Sequence, residues 1–457
     1  MFSSNRQIPP AWTEAPPHVF WPAPGFLAFF CMAFRLLHSI QGAPRLTDHP
    51  PVMPSGDHPA TREAALLRLN AFAPHAGAAY SAGRNRDHGA QRHDAVSRLS
   101  AALRRRTVTE QDVLGPVLIQ HGPGADVFVS EVFWRSYFKG WLEARPNTWH
   151  AWLGALDQID ARLLQNDTPA VRNLAVRHLA ALRGETGIDC FDHWVSELDQ
   201  TGYLHNWARM QFASIWIFTL GLPWELGARH MFDRLIDADP ASNTLSWRWV
   251  AGLHTRGKAY LAESGRIARM TGGRFAPTGL ATHAPIPDEP PPPPAMAPRT
   301  VIAPAPDART VLWITPDDCA LETELSLARL PVCAVVIVDR TDDPATHGAR
   351  ADRLALDDAL TRASLHWNVP AFRVAELRAI AALAVEVGAA QVLTGRIATG
   401  PGLDGLIAAR GHLRQAGIVL AEYQRAWDLA AWPHATRGFF ALRTRIPQLL
   451  DAAGLYP

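Results

Sequence analysis

Residues 201–210 read Thr201-Gly-Tyr203-Leu-His205-Asn206-Trp-Ala-Arg209-Met210, and residues 235–249 read Leu235-Ile-Asp237-Ala-Asp239-Pro-Ala-Ser-Asn243-Thr-Leu-Ser-Trp247-Arg-Trp249. The first stretch is predicted helical. Arg209 and Met210, three and four residues after Asn206, share a face with it. A buried Arg209 needs a carboxylate, and Asp237 is the candidate partner. Ten of the 16 tryptophans lie between Trp134 and Trp249. An indole N–H needs an acceptor once buried, so this density suggests stacking or electron transfer; a bulky core is the plainer alternative.

Around this segment the chain of 457 residues is long enough for two domains. Residues 1–60 are Pro-rich with little periodicity and read as a loose extension. Within them Phe26–Leu37 is apolar, but too short for a membrane span and broken by Arg35. Residues 61–275 are helical in pattern, with apolar positions three and four apart, as in Trp134, Tyr137, Phe138 and Trp141. Residues 276–307, containing Pro290–Pro294, form a polyproline-type, solvent-exposed linker. Residues 308–457 alternate strands and helices. Strands are predicted at Val311–Ile314, Val332–Val338, near Phe372, Gln391–Thr394 and Ile418–Ala421, and helices at Glu322–Leu330, Ala349–Trp367 and Glu376–Val387. That pattern implies a parallel, Rossmann-like α/β sheet.

Composition excludes more than it selects. The net charge of +1 gives no whole-molecule field for nucleic acid. Residues 61–275 hold 25 Lys/Arg against 21 Asp/Glu, a difference of +4, and only Lys139 and Lys258 are lysines. The four cysteines, Cys31, Cys190, Cys319 and Cys333, form no CxxC pair, so a zinc site, an iron–sulfur cluster and a disulfide framework are unsupported. No metal is expected, and a reduced, cytoplasmic setting fits best. Val96-Ser97-Arg98-Leu99-Ser100 sets hydroxyls before a predicted helix at Ala101–Arg106, an arrangement suited to phosphate or to ordinary capping. The run Arg104–Arg106 reads as a solvated helix face, with a DNA-backbone contact as the alternative.

Taken together these motifs resemble the cryptochrome/DNA photolyase family. Ser97-Arg98-Leu99-Ser100 resembles TSRLSP, and Glu131-Val-Phe-Trp134-Arg135 resembles E-L-I/F-W-R-E-F. The two opening stretches resemble TGWMHNRxRM and L-x-D-x-D-x-A-x-N-x-G/L-x-W-x-W. The resemblance covers roughly residues 60–275 and implies a mainly α-helical FAD-binding domain centred on Phe128–Trp249. It implies that Tyr80, Ser97, Arg98, Leu99, Ser100, Phe128, Arg135, Arg209, Asp237, Asp239 and Asn243 hold FAD. Phe128 stands where the family usually has Trp. The resemblance further implies that Glu131, Trp134, Asn206, Met210 and Trp249 face a lesion. Asn206 and Met210 match the cyclobutane-dimer class, since the (6-4) class usually has His at both. A flipped dimer needs aromatic walls and polar groups for its carbonyls. Of the family's electron-transfer tryptophans, Trp247 matches the flavin-proximal one and Trp224 the middle one. The surface one has no match; Trp194 or Trp216 are possible substitutes. Tyr203 and Trp207 also depart from the pattern.

In the family the α/β antenna domain comes first; here the α/β segment comes last, which implies a circular permutation, the rival being an unrelated appended module. Val311-Leu-Trp-Ile-Thr-Pro-Asp-Asp weakly resembles the family's opening strand, but Thr315 and Cys319-Ala320 replace its arginines, so the antenna chromophore, if any, is not identified. The implied function is light-dependent repair of cyclobutane pyrimidine dimers in UV-damaged DNA by a monomeric photolyase-like lyase. The alternative is a cryptochrome-like blue-light receptor without repair.

Overall fold

A computed structural model describes residues 58–455 apart from 91, 166–167 and 340–345; these lie in one compact unit, Met53–Pro457. The apolar run Phe26–Leu37 lies outside the described residues. The helical part comprises α1 (Arg62–Phe72), α2 (Ala78–Gly83), α3 (Ser100–Arg105), α4 (Glu110–His121), α5 (Asp126–Glu143), α6 (Asn147–Gln165), α7 (Pro169–Arg183), α8 (Asp189–Thr201), α9 (Asn206–Ser214), α10 (Trp224–Arg234), α11 (Pro240–Val250) and α12 (Ser264–Met270). Local sequence sets several starts. Thr61 Oγ1 accepts from Ala64 N, Thr109 and Asp112 form a reciprocal capping box, and Pro169 and Pro240 occupy first-turn positions. Past α9 the chain widens into a π-turn at Ile215–Thr219. No helix among the described residues is long and apolar enough to cross a membrane. Cys190, Cys319 and Cys333 form no disulfide.

The α/β part runs β1 (Thr310–Trp313), β2 (Val332–Val338), α13 (His347–Trp367), β3 (Ala371–Val374), α14 (Leu377–Glu386), β4 (Gln391–Gly395), α15 (Pro401–Gln415) and β5 (Val419–Tyr423). All pairings are parallel, in the order β3-β2-β1-β4-β5. This is the doubly wound order 3-2-1-4-5, with the order reversing between β1 and β4, as the alternation predicts. The helix predicted at Glu322–Leu330 is not there; two 3₁₀ turns, Leu321–Thr323 and Leu325–Leu327, replace it. Glu324 takes an extended backbone between them while its carboxylate binds Tyr423 and Arg425, which breaks the helical path.

Two further features escape the sequence pattern. The Pro-rich segment is tethered: Glu289 accepts from Trp224 Nε1 at 2.5 Å and pairs with Arg248 at 2.7 Å, and Met296 N donates to Ala144 O at 2.8 Å. After β5 the chain returns to the helical core as α16 (Ala426–Ala431), α17 (Phe439–Arg443) and α18 (Ile446–Ala452). Trp427, Trp432, Phe439, Leu442, Leu449 and Leu450 are buried there. The Trp427 ring lies 4.8 Å from that of Phe133, and its N–H donates to Ser136 Oγ at 2.8 Å.

Buried charges join the α/β part to the helices. Arg425 grips Asp318 through two bonds of 2.6 and 2.8 Å. Arg106 donates to Asp428 at 2.6 Å and lies 3.9 Å from Asp318. Arg396 donates to Glu143 at 2.8 Å, and Thr399 Oγ1 donates to the same carboxylate at 2.7 Å. Arg106, Asp318, Arg425 and Asp428 are each 3% exposed or less. The run Arg104–Arg106 is therefore neither a solvated face nor a DNA contact: Arg105 pairs with Asp352 at 2.7 Å and Arg104 donates to Pro316 O at 2.6 Å. Asp318 follows β1 at the carboxyl edge of the sheet, beside the β1–β4 switch point where such folds usually open a ligand crevice. Gly395 at the end of β4 lets it approach; a Cβ there would lie 2.6 Å from that of Asp318. Removing one partner of a buried pair leaves an uncompensated charge, so Arg425→Met is expected to lower unfolding free energy by about 3–5 kcal/mol, measured by denaturant titration.

Candidate functional site

Two ion pairs fix the ends of the motif helices. Arg209, on α9, donates from Nε to Leu204 O at 2.7 Å and from Nη1 to Asp237 at 3.3 Å. Asp239 caps α11 by accepting from Ser242 N at 2.9 Å, and its other oxygen takes Arg135 of α5. Burial pushes both carboxyls up. The nearby cations outweigh it, Arg209 and Arg135 for Asp237 and Arg135 and Lys139 for Asp239, so both sit below the ordinary carboxylate range. Between the two aspartates Ala238 has φ +40°, and in the hydroxyl motif Arg98 has φ +57°. Both are left-handed residues other than glycine, a conformation that costs energy and clusters at binding sites. Arg98 is held by His93 O and Asp94.

The other predicted cofactor residues form a wall. Tyr80 and Phe128 meet edge to face at 5.2 Å, with Phe72 beside both. Asn243 donates to Ala228 O at 2.8 Å. Ser97 Oγ accepts from Leu99 N at 3.4 Å rather than capping α3, whose cap position is Leu99 itself. Four buried polar atoms of the motifs have no partner among the described residues: Ser100 Oγ, His205 Nε2, Thr244 Oγ1 and Trp247 Nε1. A hydroxyl in the phosphate-suited motif and an indole donor both left over fit a bound group rich in acceptors, so the residues fit FAD.

The five residues expected to face a lesion lie on α5, α9 and α11, and α11 packs against both others. Glu131 pairs with Arg84, which also lies over the Tyr80 ring at 6.0 Å. Arg84 was not singled out in the sequence, although it stands four residues after Tyr80. Trp134 stacks on Phe439 of α17, centroids 3.8 Å apart and 12° from parallel. Asn206 is exposed at the start of α9 and Met210 is half-buried on the same helix. Trp249 packs on Tyr260, whose hydroxyl accepts from Gln211 at 2.6 Å. Tyr260 thus connects the Trp249 and Met210 neighbourhoods.

The tryptophans divide in two. Trp216 is fully buried, 6.2 Å from Trp247 and nearly perpendicular to it. Gly227 permits that approach; a Cβ there would fall 2.3 Å from Trp247 and 2.9 Å from Trp216. Trp224 is turned toward Glu289 and lies under Arg248 at 5.4 Å. Trp194 donates to Asp87 at 3.0 Å. Asp87, His93 and Glu197 are buried with ligand-type atoms within 4.8 Å of one another, a grouping the sequence reading did not anticipate. They already satisfy part of each other's needs: His93 Nε2 lies 2.9 Å from Glu197, and Asp87 accepts from Gly89 N and Arg274.

Residues 128–273 match the family model described as the FAD binding domain of DNA photolyase. The deoxyribodipyrimidine photo-lyase of Streptomyces griseus is 35% identical over 162 residues, 35% of this chain and 33% of that protein. That of Escherichia coli K12 is 27% identical over 235 residues, 49% of this chain and 46% of that protein. The putative cryptochrome DASH of Gibberella zeae is 35% identical over 136 residues, 26% and 19% of the two chains. The chain thus spans at most about half the length of these curated relatives. Among solved structures, a class III photolyase from Agrobacterium tumefaciens matches with TM-score 0.35 and 27% identity, covering 46% of this chain and 43% of its own. A Synechocystis cryptochrome matches with TM-score 0.40 and 21% identity, covering 50% and 48%.

His230 stacks on Phe212 and Trp216 beside Trp247, and burial pushes its pKa down to about 3. Its folded value lies below its unfolded one, so its contribution is fully present above about pH 6.5 and is lost as pH falls toward 3. Stability should therefore decline below about pH 6.5, and His230→Gln should shrink the slope by about 1 kcal/mol per pH unit, read from denaturation midpoints between pH 7 and 5.

Proposed function

We propose that this chain, whose residues 128–273 carry the FAD-binding domain of the photolyase and cryptochrome family, repairs cyclobutane pyrimidine dimers in UV-damaged DNA under blue light. The observation that carries this reading is that Glu131, Trp134, Asn206, Met210 and Trp249 all occur, on three helices built around the Arg135–Asp239 and Arg209–Asp237 pairs. The residues of Tyr80, Ser97–Ser100, Phe128, Arg135, Arg209, Asp237, Asp239 and Asn243 would hold FAD. When bound and reduced, FAD supplies an electron on excitation and takes it back once the two carbon–carbon bonds joining the pyrimidines have parted.

The chain's own groups bind, orient and tune. Arg209 and Arg135 keep two carboxylates ionised in a buried setting, which gives the site fixed charges that need no reorganisation during electron transfer. Trp134 and Trp249 offer π-faces to an extruded pyrimidine dimer. Glu131, held by Arg84, presents a carboxylate edge to pyrimidine N–H groups. Trp216, in contact with Trp247, would give a path for re-reduction, a role that the family resemblance assigns to Trp224.

A second reading, a blue-light receptor without repair, is favoured by one observation: Phe439 covers one face of Trp134. The two readings part on purified protein. Repair predicts flavin absorption, dimer reversal in blue light after chemical reduction, and preference for dimer-bearing over intact oligonucleotide. Trp134→Ala is expected to reduce that preference at least tenfold with flavin content unchanged. Full flavin content with no reversal after complete reduction would eliminate repair. In the same samples, Trp216→Phe should slow light-driven flavin reduction at least tenfold while repair by pre-reduced protein is kept; an unchanged rate would return the role to Trp224.

A further inference from the structure

Between Asp428 and Asp451 the chain has no acidic residue, but it has Arg437, Arg443 and Arg445. All three arginines are exposed, and their guanidinium groups have no partner among the described residues. This contrasts with the buried arginines of the domain junction, each tied to a carboxylate or carbonyl. Phe440, next to Phe439, is 73% exposed. In α17 it shares a face with Arg443, three residues on, while Phe439 turns the other way onto Trp134. A second basic stretch meets this one. The Tyr137 hydroxyl donates to Arg437 O at 2.8 Å and lies 3.1 Å from His254 Nε2, whose loop carries exposed Arg256 and Lys258. Between Asp239 and Glu263 there is again no acidic residue.

We propose that segment 436–445, with loop 254–258, is a nucleic-acid contact surface beside Trp134. Arg437, Arg443, Arg445 and Lys258 meet backbone phosphates, and Phe440 stacks on an unpaired base. The proposal rests on the DNA-repair reading for its choice of partner. Three features favour that partner over a protein surface. The cations are unpaired and mostly arginine, whose planar fork suits phosphate. An aromatic ring standing in water among arginines is the combination that single-stranded nucleic acid uses, with cations for the backbone and a π-face for the bases. The patch is continuous with Trp134 through Phe439, so a strand held here runs beside the candidate lesion site. Three of the four cations, Arg437, Arg443 and Arg445, and the aromatic Phe440 come from the returning C-terminal segment, outside the residues that match the FAD-binding family.

The test uses the full chain and a fluorescent, undamaged single-stranded oligothymidylate, with affinity measured across salt concentrations. The triple change Arg437→Gln, Arg443→Gln, Arg445→Gln should weaken binding at least tenfold at 0.1 M salt. It should also reduce the slope of log affinity against log salt by about 2, at roughly 0.7 per lost contact. Phe440→Ala should weaken binding about 5- to 100-fold and leave the slope unchanged, the mark of lost stacking. Unchanged affinity and slope in both variants would overturn the proposal even where the parent protein binds, and parent protein that does not bind the undamaged oligothymidylate would overturn it while leaving the repair reading, which is tested on dimer-bearing DNA, standing. Salt-sensitive binding lost in the triple variant, in protein that reverses no dimers, would support this surface and sink repair alone. A loss of affinity accompanied by lower flavin content or denaturation midpoint, with the salt slope intact, would count against it.

Discussion

Arg425 and Asp318 form the contact on which the arrangement turns. Asp318 sits at the carboxyl edge of the sheet, where a fold of this order would otherwise leave a crevice; Arg425 follows the last strand and Arg106 ends α3 of the helical part. A charge there cannot be left alone. Burying an ion costs several kcal/mol, and only a paired geometry offsets it. The α/β part therefore meets the helices in one orientation, with Arg396 on Glu143 as a second fixing point. The edge of the sheet that could receive a small molecule is given over to holding the molecule together.

The helical part follows a similar logic at its centre. Two guanidinium–carboxylate pairs hold α5, α9 and α11, and the backbone takes left-handed turns at Arg98 and Ala238. Aromatic rings fill the remaining volume. Such a site is rigid because each strained or charged element is over-determined by its neighbours.

Much of this was legible in the sequence because its signals are local. The period-two and period-3.6 patterns placed five strands close to their observed positions, and Val332–Val338 as predicted, because a strand buried on both faces is an unbroken β-branched run. Arg209 with Asp237 was readable because a buried cation must find its counter-charge. What stayed hidden depends on contacts distant in sequence. Arg104–Arg106 look like a solvated run until Asp428 and Asp352, roughly 250 to 320 residues later, come to meet them. The predicted helix at Glu322–Leu330 fails because Glu324 is claimed by Tyr423 and Arg425 about a hundred residues on. Arg84 carries no motif of its own, and the stacking of Phe439 on Trp134 joins positions that no periodicity connects.

The return of α16–α18 to the helical core has a consequence for how the protein comes to exist. Phe133 and Ser136 lie in the first third of the chain, yet their partner Trp427 is synthesised almost three hundred residues later. The helical core cannot close while the sheet is still being made. During synthesis its aromatic faces wait uncovered on a partly built body, the situation in which chains aggregate or seek chaperones. The α/β part, whose strands and crossovers are contiguous, has no such wait and can fold as it emerges. The domain made first is thus the one completed last.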